Sequence, residues 1–404
     1  MIGLLFAVFG FAAWLNSILV PYFQITLELS SVQTTLVTFS FFIAYVVMAL
    51  PSSWLLKKIG FKEGIAVGLV IMAIGAVLFI PAAHLRAYWL FLTGLFVLGT
   101  GQAILQTAAN PYITILGPIE SAAQRNSFMG VCNKIAGIGT QRLLGPILLL
   151  NADFISQKLQ QMTPVEKVAA LNDMALRVIN PYWTMTAVLL IIAVIVWLVP
   201  LPKVNEEESN PDVSGEARAS VWLYPNLILG VLALFCAEGL ESITSYYIIP
   251  YGQSMGFTTE QSQPFVDYII YTMLAGYLCG IFFIPKYISQ SKALAMCALS
   301  GIGLSVVSLM SGGLTAVVCM IMMGFCNALN WPSIWPLALS GVGRFTKTAA
   351  AMLIMAIAGD ALFPVFFAQL NTWFGVKAGI GLLLCLYGVI LYYATMGHKK
   401  RRWV

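Results

Sequence analysis

Charge is scarce in this chain. Of its 404 residues only 9% are Asp, Glu, Lys or Arg, while 60% are apolar and the mean hydropathy is +0.88. A soluble domain carries about 25% charged residues, so a water-soluble globular protein is excluded. Histidine is almost missing. His84 and His398 are the two present, both near the ends of apolar segments, and no metal site is expected. The seven cysteines (132, 236, 279, 297, 319, 326 and 385) fall in apolar segments without a CxxC or Cys/His pattern. They read as small buried hydrophobes, neither disulfides nor ligands. No Ser/Lys, paired-Asp or His–metal constellation stands at workable spacing, so neither an enzyme nor a cofactor is expected. No alternating ten-residue barrel pattern is visible. The first apolar segment has no basic region before it and no small-residue cleavage site after it. It contains Trp14, Asn16, Ser17 and Pro21, and reads as a retained first span, not a signal peptide.

Long apolar runs are plentiful. A helical span needs about 20 apolar residues, and the chain offers twelve, at roughly 2–25, 33–56, 63–83, 87–116, 124–151, 180–201, 222–251, 263–285, 292–311, 313–340, 347–374 and 377–396. The expectation is an all-α polytopic membrane protein. The net charge of +5 is explained by placement and not by nucleic-acid affinity. With the N-terminus inside, Lys57, Lys58, Lys62, Arg125, Lys203, Arg218, Lys286, Lys292, Arg344, Lys347 and the Lys399–Arg402 run all fall in cytoplasmic segments. The positive-inside rule then puts both termini in the cytoplasm.

The polar loop 202–221, with Asn205-Glu-Glu-Glu-Ser-Asn-Pro-Asp212, separates six spans from six. This gives an N-terminal bundle over 1–201, a linker over 202–221 and a C-terminal bundle over 222–404. In the outer loop 152–179, Thr163-Pro-Val-Glu166 is a capping box with proline at the first helical position, and predicts a short surface helix.

Two runs are too polar for lipid. Gln106-Thr-Ala-Ala-Asn-Pro-Tyr-Ile-Thr-Ile-Leu-Gly-Pro118 lies in the fourth span, and Cys326-Asn-Ala-Leu-Asn-Trp-Pro-Ser-Ile-Trp-Pro336 in the tenth. Hydrocarbon cannot hydrogen-bond their amides and hydroxyls, so they face protein or a watery cavity. Ala13-Trp-Leu-Asn-Ser-Ile18 parallels Glu238-Gly-Leu-Glu-Ser-Ile243, and the 51–62 loop parallels the 280–292 loop. Three matches in the same order indicate a 6+6 pseudo-repeat of the major facilitator kind. Polar, proline-interrupted helices in corresponding positions of two halves point to a transporter's binding site.

A sugar presents a ring of hydroxyls and two apolar faces, so its site needs bidentate polar groups and an aromatic platform. Asn16, Gln106, Asn110, Asn133, Asn327 and Asn330 are intramembrane amides. Gln106 with Asn110, and Asn327 with Asn330, share helix faces by spacing. The plainer reading is that such amides tie helices together. Trp14, Trp331, Trp335, Tyr247 and Tyr271 are candidate stacking groups, of which Trp331 and Tyr247 are assigned to the substrate. Glu238 and Glu241 in the seventh span, Asp360 in the eleventh and Lys134 and Arg142 in the fifth are intramembrane charges. They form either an internal ion-pair network or a cation-coupling device, and a pair broken and remade by a proton serves as both. Glu238, Glu241, Asp360 and Lys134 are the ion-coupling set.

Trp14-Leu-Asn16, Gln106-Thr-Ala-Ala-Asn-Pro-Tyr112, Leu116-Gly-Pro-Ile-Glu-Ser-Ala-Ala-Gln-Arg125, Met129-Gly-Val-Cys-Asn-Lys-Ile-Ala-Gly137 and Asn330-Trp-Pro332 resemble the fucose–galactose–glucose:proton symporter family, the glucose/galactose and N-acetylglucosamine branch more than the fucose branch. The resemblance implies a major facilitator fold, alternating access, and uptake of a monosaccharide across a bacterial inner membrane with H+ or Na+. Its partners would be a small sugar and the bilayer, with no nucleic acid, and the carrier a monomer. The fucose branch carries an aspartate where this chain has Ser17 and a glutamate where it has Gln106. Neither residue here can titrate. Coupling therefore moves to Glu238, Glu241 or Asp360, or uses sodium, or is absent in a passive facilitator or an efflux carrier.

Overall fold

The structure, a computed structural model, describes residues 2–149, 162–199 and 220–403, and all regular structure among them is helical. The first six spans are Ile2–Thr26, Ser31–Ile59, Phe61–Leu85, Tyr88–Ile115, Ala122–Leu148 and Ile179–Leu198. The next three are Pro225–Ser254, Pro264–Phe283 and Gln290–Met310, and the last is Val376–Thr395. Spans ten and eleven are broken. Gly313–Ala328 is followed by Asn330–Leu339, and Thr346–Met355 by Ala358–Phe374. Counting the broken pairs as one each gives the twelve spans read from the sequence.

Eleven of these helices are long and apolar enough to cross a membrane. The exception is the fifth, which carries Gln124, Arg125, Asn126, Asn133, Lys134, Gln141 and Arg142. That composition is unsuited to lipid on all sides and marks a helix with a polar inward face. The capping box at Thr163 forms as expected. Its hydroxyl accepts from the Glu166 backbone N–H, and the Glu166 carboxylate accepts from the Thr163 N–H at 2.9 Å, starting the surface helix Pro164–Leu176. Lys167 of this helix pairs with Glu28 at the end of the first span.

Small residues set the helix contacts, as expected where lipid removes the hydrophobic drive between helices. In the first unit, a Cβ on Gly101 would overlap the Met72 backbone nitrogen and side chain, and one on Gly137 would overlap the Trp14 ring. Tyr182 of the sixth span stacks on Phe79 of the third, ring centroids 4.0 Å apart. In the second unit the seventh span packs on the eleventh at Gly239 and Gly359, and the ninth on the twelfth at Gly301.

Packing divides the described residues into two compact units. One takes those of Met1–Ala109 and Cys132–Pro202, the other those of Asn110–Val131 and Lys203–Val404. The turn between the fourth and fifth spans therefore packs with the second unit, although its sequence lies in the first six-helix half. Gln124 Nε2 donates to the Ile281 carbonyl at 2.7 Å, and a Cβ on Gly130 would overlap the Tyr277 ring. Most of the expected linker 202–221 lies outside the described residues.

Candidate functional site

In the first unit the polar groups gather where the first, second, fourth and fifth spans meet. Trp14 is buried against the fifth span, with Lys134 Nζ 5.2 Å from the ring centroid. The Lys134 stem is almost fully buried, and the indole face supplies attraction for its ammonium. Close approach of these helices is fixed by Gly10, whose added Cβ would overlap the Asn133 carbonyl. Gln106 donates through Nε2 to the Tyr45 hydroxyl at 3.2 Å. One turn on, where the chain passes to the second unit, Asn110 is 1% exposed, and its carbonyl accepts the Thr114 hydroxyl at 2.9 Å. The side chain of Asn16 lies outside the described residues.

In the second unit the site forms at the two helix breaks. Pro332 lacks the N–H that would bond the Ala328 carbonyl, and its ring clashes with that carbonyl in a continuous helix. The tenth span accordingly breaks at Leu329 (φ −91°, ψ 0°) and restarts at Asn330. Asn330 is 2% exposed, yet among the described residues neither Oδ1 nor Nδ2 has a hydrogen-bond partner. Ser333 Oγ, one turn on, and the Trp335 indole N–H are likewise buried without partners. A buried amide left unpaired costs a few kcal/mol, so these groups call for partners from outside the described residues. Trp331 stacks on Trp335 at 5.1 Å.

The second break brings the eleventh span to a new start at Ala358, with Asp360 in the first turn. Gly359 lets the helix meet the seventh span, since an added Cβ would overlap the Phe235 carbonyl and stand 3.3 Å from Glu238 Cβ. Tyr246 lies within electrostatic reach of Asp360, Glu241 and Glu238, and Tyr277 of the last two. The structure thus gathers the three predicted carboxylates in one region of the second unit. Among the described residues no three His, Cys, Asp or Glu side chains are arranged to hold a metal ion.

Other predicted residues take plainer places. Asn327 is fully satisfied: Nδ2 donates to Thr244 Oγ1 at 3.1 Å, and Oδ1 accepts the Tyr387 hydroxyl at 2.7 Å. It ties the seventh, tenth and twelfth spans, so sharing a face with Asn330 does not give it the same work. Tyr247 sits edge-on to Phe367 at 5.2 Å, and Tyr271 is half-exposed. Sequence reasoning missed Tyr45, Thr244, Tyr387 and Ser333. A tyrosine or threonine inside a span has no distinguishing neighbours in sequence, and only the fold shows which amide it meets. Ser333 was within reach, being three residues after Asn330.

The Major Facilitator Superfamily model matches residues 2–367. A Brucella abortus protein named glucose/galactose transporter is 33% identical over 400 residues, covering 98% of this chain and 93% of its own. The L-fucose-proton symporter of Escherichia coli K12 is 30% identical over 376 residues, covering 89% and 83%. A crystal structure of the E. coli fucose:proton symporter superposes with a TM-score of 0.84 at 26% identity, covering 97% and 96% of the two chains. The chain belongs to the major facilitator superfamily and, within it, to the fucose–galactose–glucose:proton symporter family.

Proposed function

We propose that this protein takes up a monosaccharide of the glucose/galactose type by alternating access, driven by a coupling cation. The relatives named above supply the substrate class. The single observation that carries the reading is Asn330, a buried amide with donor and acceptor both unpartnered, one residue past a break in a membrane helix. An amide of this kind matches two adjacent sugar hydroxyls, each able to donate and accept. Half-helix starts at membrane depth are where transporters hold polar cargo. The rest of the proposed polar set is Asn16, Gln106 and Asn133 of the first unit, and Asn110, which packs with the second. Trp331, next to Asn330 in sequence and stacked on Trp335, offers a ring to the apolar face of the sugar, and Asn327 and Tyr247 complete the substrate set.

The coupling cation is assigned to Glu238, Glu241 and Asp360, and Lys134 of the first unit belongs to the same proposed ion-coupling set. Gln106 is neutral, which favours a carrier whose proton or sodium step lies on the second unit. A passive facilitator is the second reading, and the same neutral Gln106 is what favours it. The basic loops support a reading with both termini on the cytoplasmic side of a bacterial inner membrane. Labelled glucose, galactose or N-acetylglucosamine should accumulate in proteoliposomes under a proton or sodium gradient. Asn330→Ala should weaken sugar affinity about tenfold, the cost of one good hydrogen-bond pair. No flux of any of the three sugars under either gradient would overturn the proposal.

A further inference from the structure

A second feature of the C-terminal unit has nothing to do with sugar chemistry. The end of the eighth span, the start of the ninth and the tenth enclose an apolar groove of about 280 Å³, lined by Cys279, Phe283, Ile284, Ala293, Cys297 and Phe325 among others. Its walls offer almost no polar atom, so it fits no sugar. Its rim residues Phe283, Met296 and Ser300 are exposed on the helix surface, so the groove opens where hydrocarbon chains would lie. One end of it is strongly basic. Ile284 and Ile288 line the groove and bracket Lys286, and Ala293 lines it directly after Lys292. Both lysines are exposed, and among the described residues neither has a carboxylate within salt-bridge distance. Tyr287, exposed and 5.1 Å from Lys286 Nζ, is an aromatic of the kind that marks the membrane–water interface. The ninth span, 21 residues long, presents its positive end at the same level, with Ser289 as its cap.

An apolar slot that runs inward from a pair of unpaired ammonium groups at the interface has the charge and shape of a phospholipid with a net negative headgroup. We propose that the groove is a binding site for one anionic phospholipid, with an acyl chain along Cys279, Ala293 and Cys297 and the phosphate held by Lys286 and Lys292. Each basic residue near a membrane surface contributes about 1 kcal/mol toward anionic lipid, so the pair discriminates by roughly tenfold or more over a zwitterionic lipid. Bulk acyl chains alone would fill the same slot with no preference for headgroup, and this difference separates a site from ordinary solvation.

The test uses the full chain in lipid nanodiscs containing a trace of phosphatidylglycerol with a diazirine on one acyl chain, or the matching phosphatidylcholine. Photolysis followed by peptide mass spectrometry should place phosphatidylglycerol adducts on residues 279–300 and 325–329, about tenfold above phosphatidylcholine. The Lys286→Ala/Lys292→Ala double variant should bring the two lipids level, and Lys286→Arg/Lys292→Arg should restore the preference. Ser300→Trp, at the exposed rim, should cut labelling of these peptides while labelling elsewhere in the chain stays constant. Equal labelling by both lipids in the wild-type chain, or an unaltered preference in the double alanine variant, overturns the proposal. Cross-links joining two copies of the chain through these peptides would assign the groove to self-association and overturn it as well.

Discussion

The Tyr387 hydroxyl donates to Asn327 Oδ1 across 2.7 Å, and the same amide donates to Thr244 Oγ1. Three spans are joined through one side chain with both halves of its amide used. Hydrogen bonds between membrane helices contribute about 0.6 kcal/mol on average and up to about 2. Tyr387→Phe should therefore lower the melting temperature in detergent by a few degrees, and Asn327→Ala by more, because it orphans both partners. Their combined effect should fall short of the sum, since both remove one shared bond. Sugar affinity should change far less than in Asn330→Ala. A double variant whose losses simply add would remove the link between the two residues.

Much of this fold was written in the sequence. Length and apolarity mark all twelve spans, the fifth included, although Arg125, Asn133, Lys134 and Arg142 make it the one too polar to face lipid on all sides. Pro332 foretold the break in the tenth span, because a proline removes a donor and displaces the carbonyl four residues back. The break before Asp360 had no such signal: Pro364 follows it by several residues, and the interruption at 356–357 is set by how the eleventh span meets the seventh. Asn327 and Asn330 looked equivalent by periodicity. Only the positions of Thr244 and Tyr387, more than 50 residues away in each direction, show that one amide is structural and the other unpartnered. The packing boundary at Asn110–Val131 was hidden for the same reason, since it depends on Ile281 and Tyr277.

Arg125 predicts a strong dependence of stability on one guanidinium. Sequence placed it among the topology-setting basic residues. In the fold it donates to four carbonyls around the end of the fourth span, those of Ile113, Thr114, Gly117 and Pro118, and to Ser121 Oγ at 2.6 Å. These carbonyls include helix-end groups that have no partner within the helix. A hydrogen bond to a charged group contributes about 1.5–3 kcal/mol net, and water reaching this part-buried site offsets much of the sum. Arg125→Ala should cost about 3 kcal/mol and Arg125→Lys somewhat less, because an ammonium cannot span the fork of acceptors. Thermal unfolding followed by tryptophan fluorescence gives the number. A melting temperature within a degree of wild type for the alanine variant would show that water satisfies these carbonyls equally well.

His398 links stability to pH at the end of the chain. Burial pushes its imidazole below the ordinary value near 6.5, the Tyr393 carbonyl 3.0 Å from Nδ1 pulls it back, and Lys399 and Arg401 lower it further. The unfolded chain therefore takes up a proton that the folded chain resists. The contribution is fully present above about pH 6.5 and is lost as pH falls through the lower folded value. Between pH 7.5 and pH 5.5 the wild-type melting temperature should fall more than that of His398→Gln, which carries no titrating ring. Equal acid sensitivity in the two would show that the ring is protonated in the fold at no cost.

Asp360 offers the sharpest division between a coupled carrier and a facilitator. It lies in the first turn of the second half of a broken helix, next to Gly359, which packs against the seventh span at Phe235 and Glu238. Asp360→Asn keeps the shape but cannot bind or release a proton, and offers a cation only a neutral ligand. If the carboxylate is the coupling group, the alternating cycle should continue while the gradient no longer drives it. Exchange of labelled for unlabelled sugar across proteoliposome membranes should persist within a few-fold of wild type. Accumulation under the driving gradient should collapse to the level of simple equilibration. Glu238→Gln and Glu241→Gln, measured alongside, should lose accumulation only to the extent that each shares the cation with Asp360. Full accumulation by Asp360→Asn would transfer coupling to the two glutamates, and full accumulation by all three variants together would establish a carrier that needs none of these carboxylates.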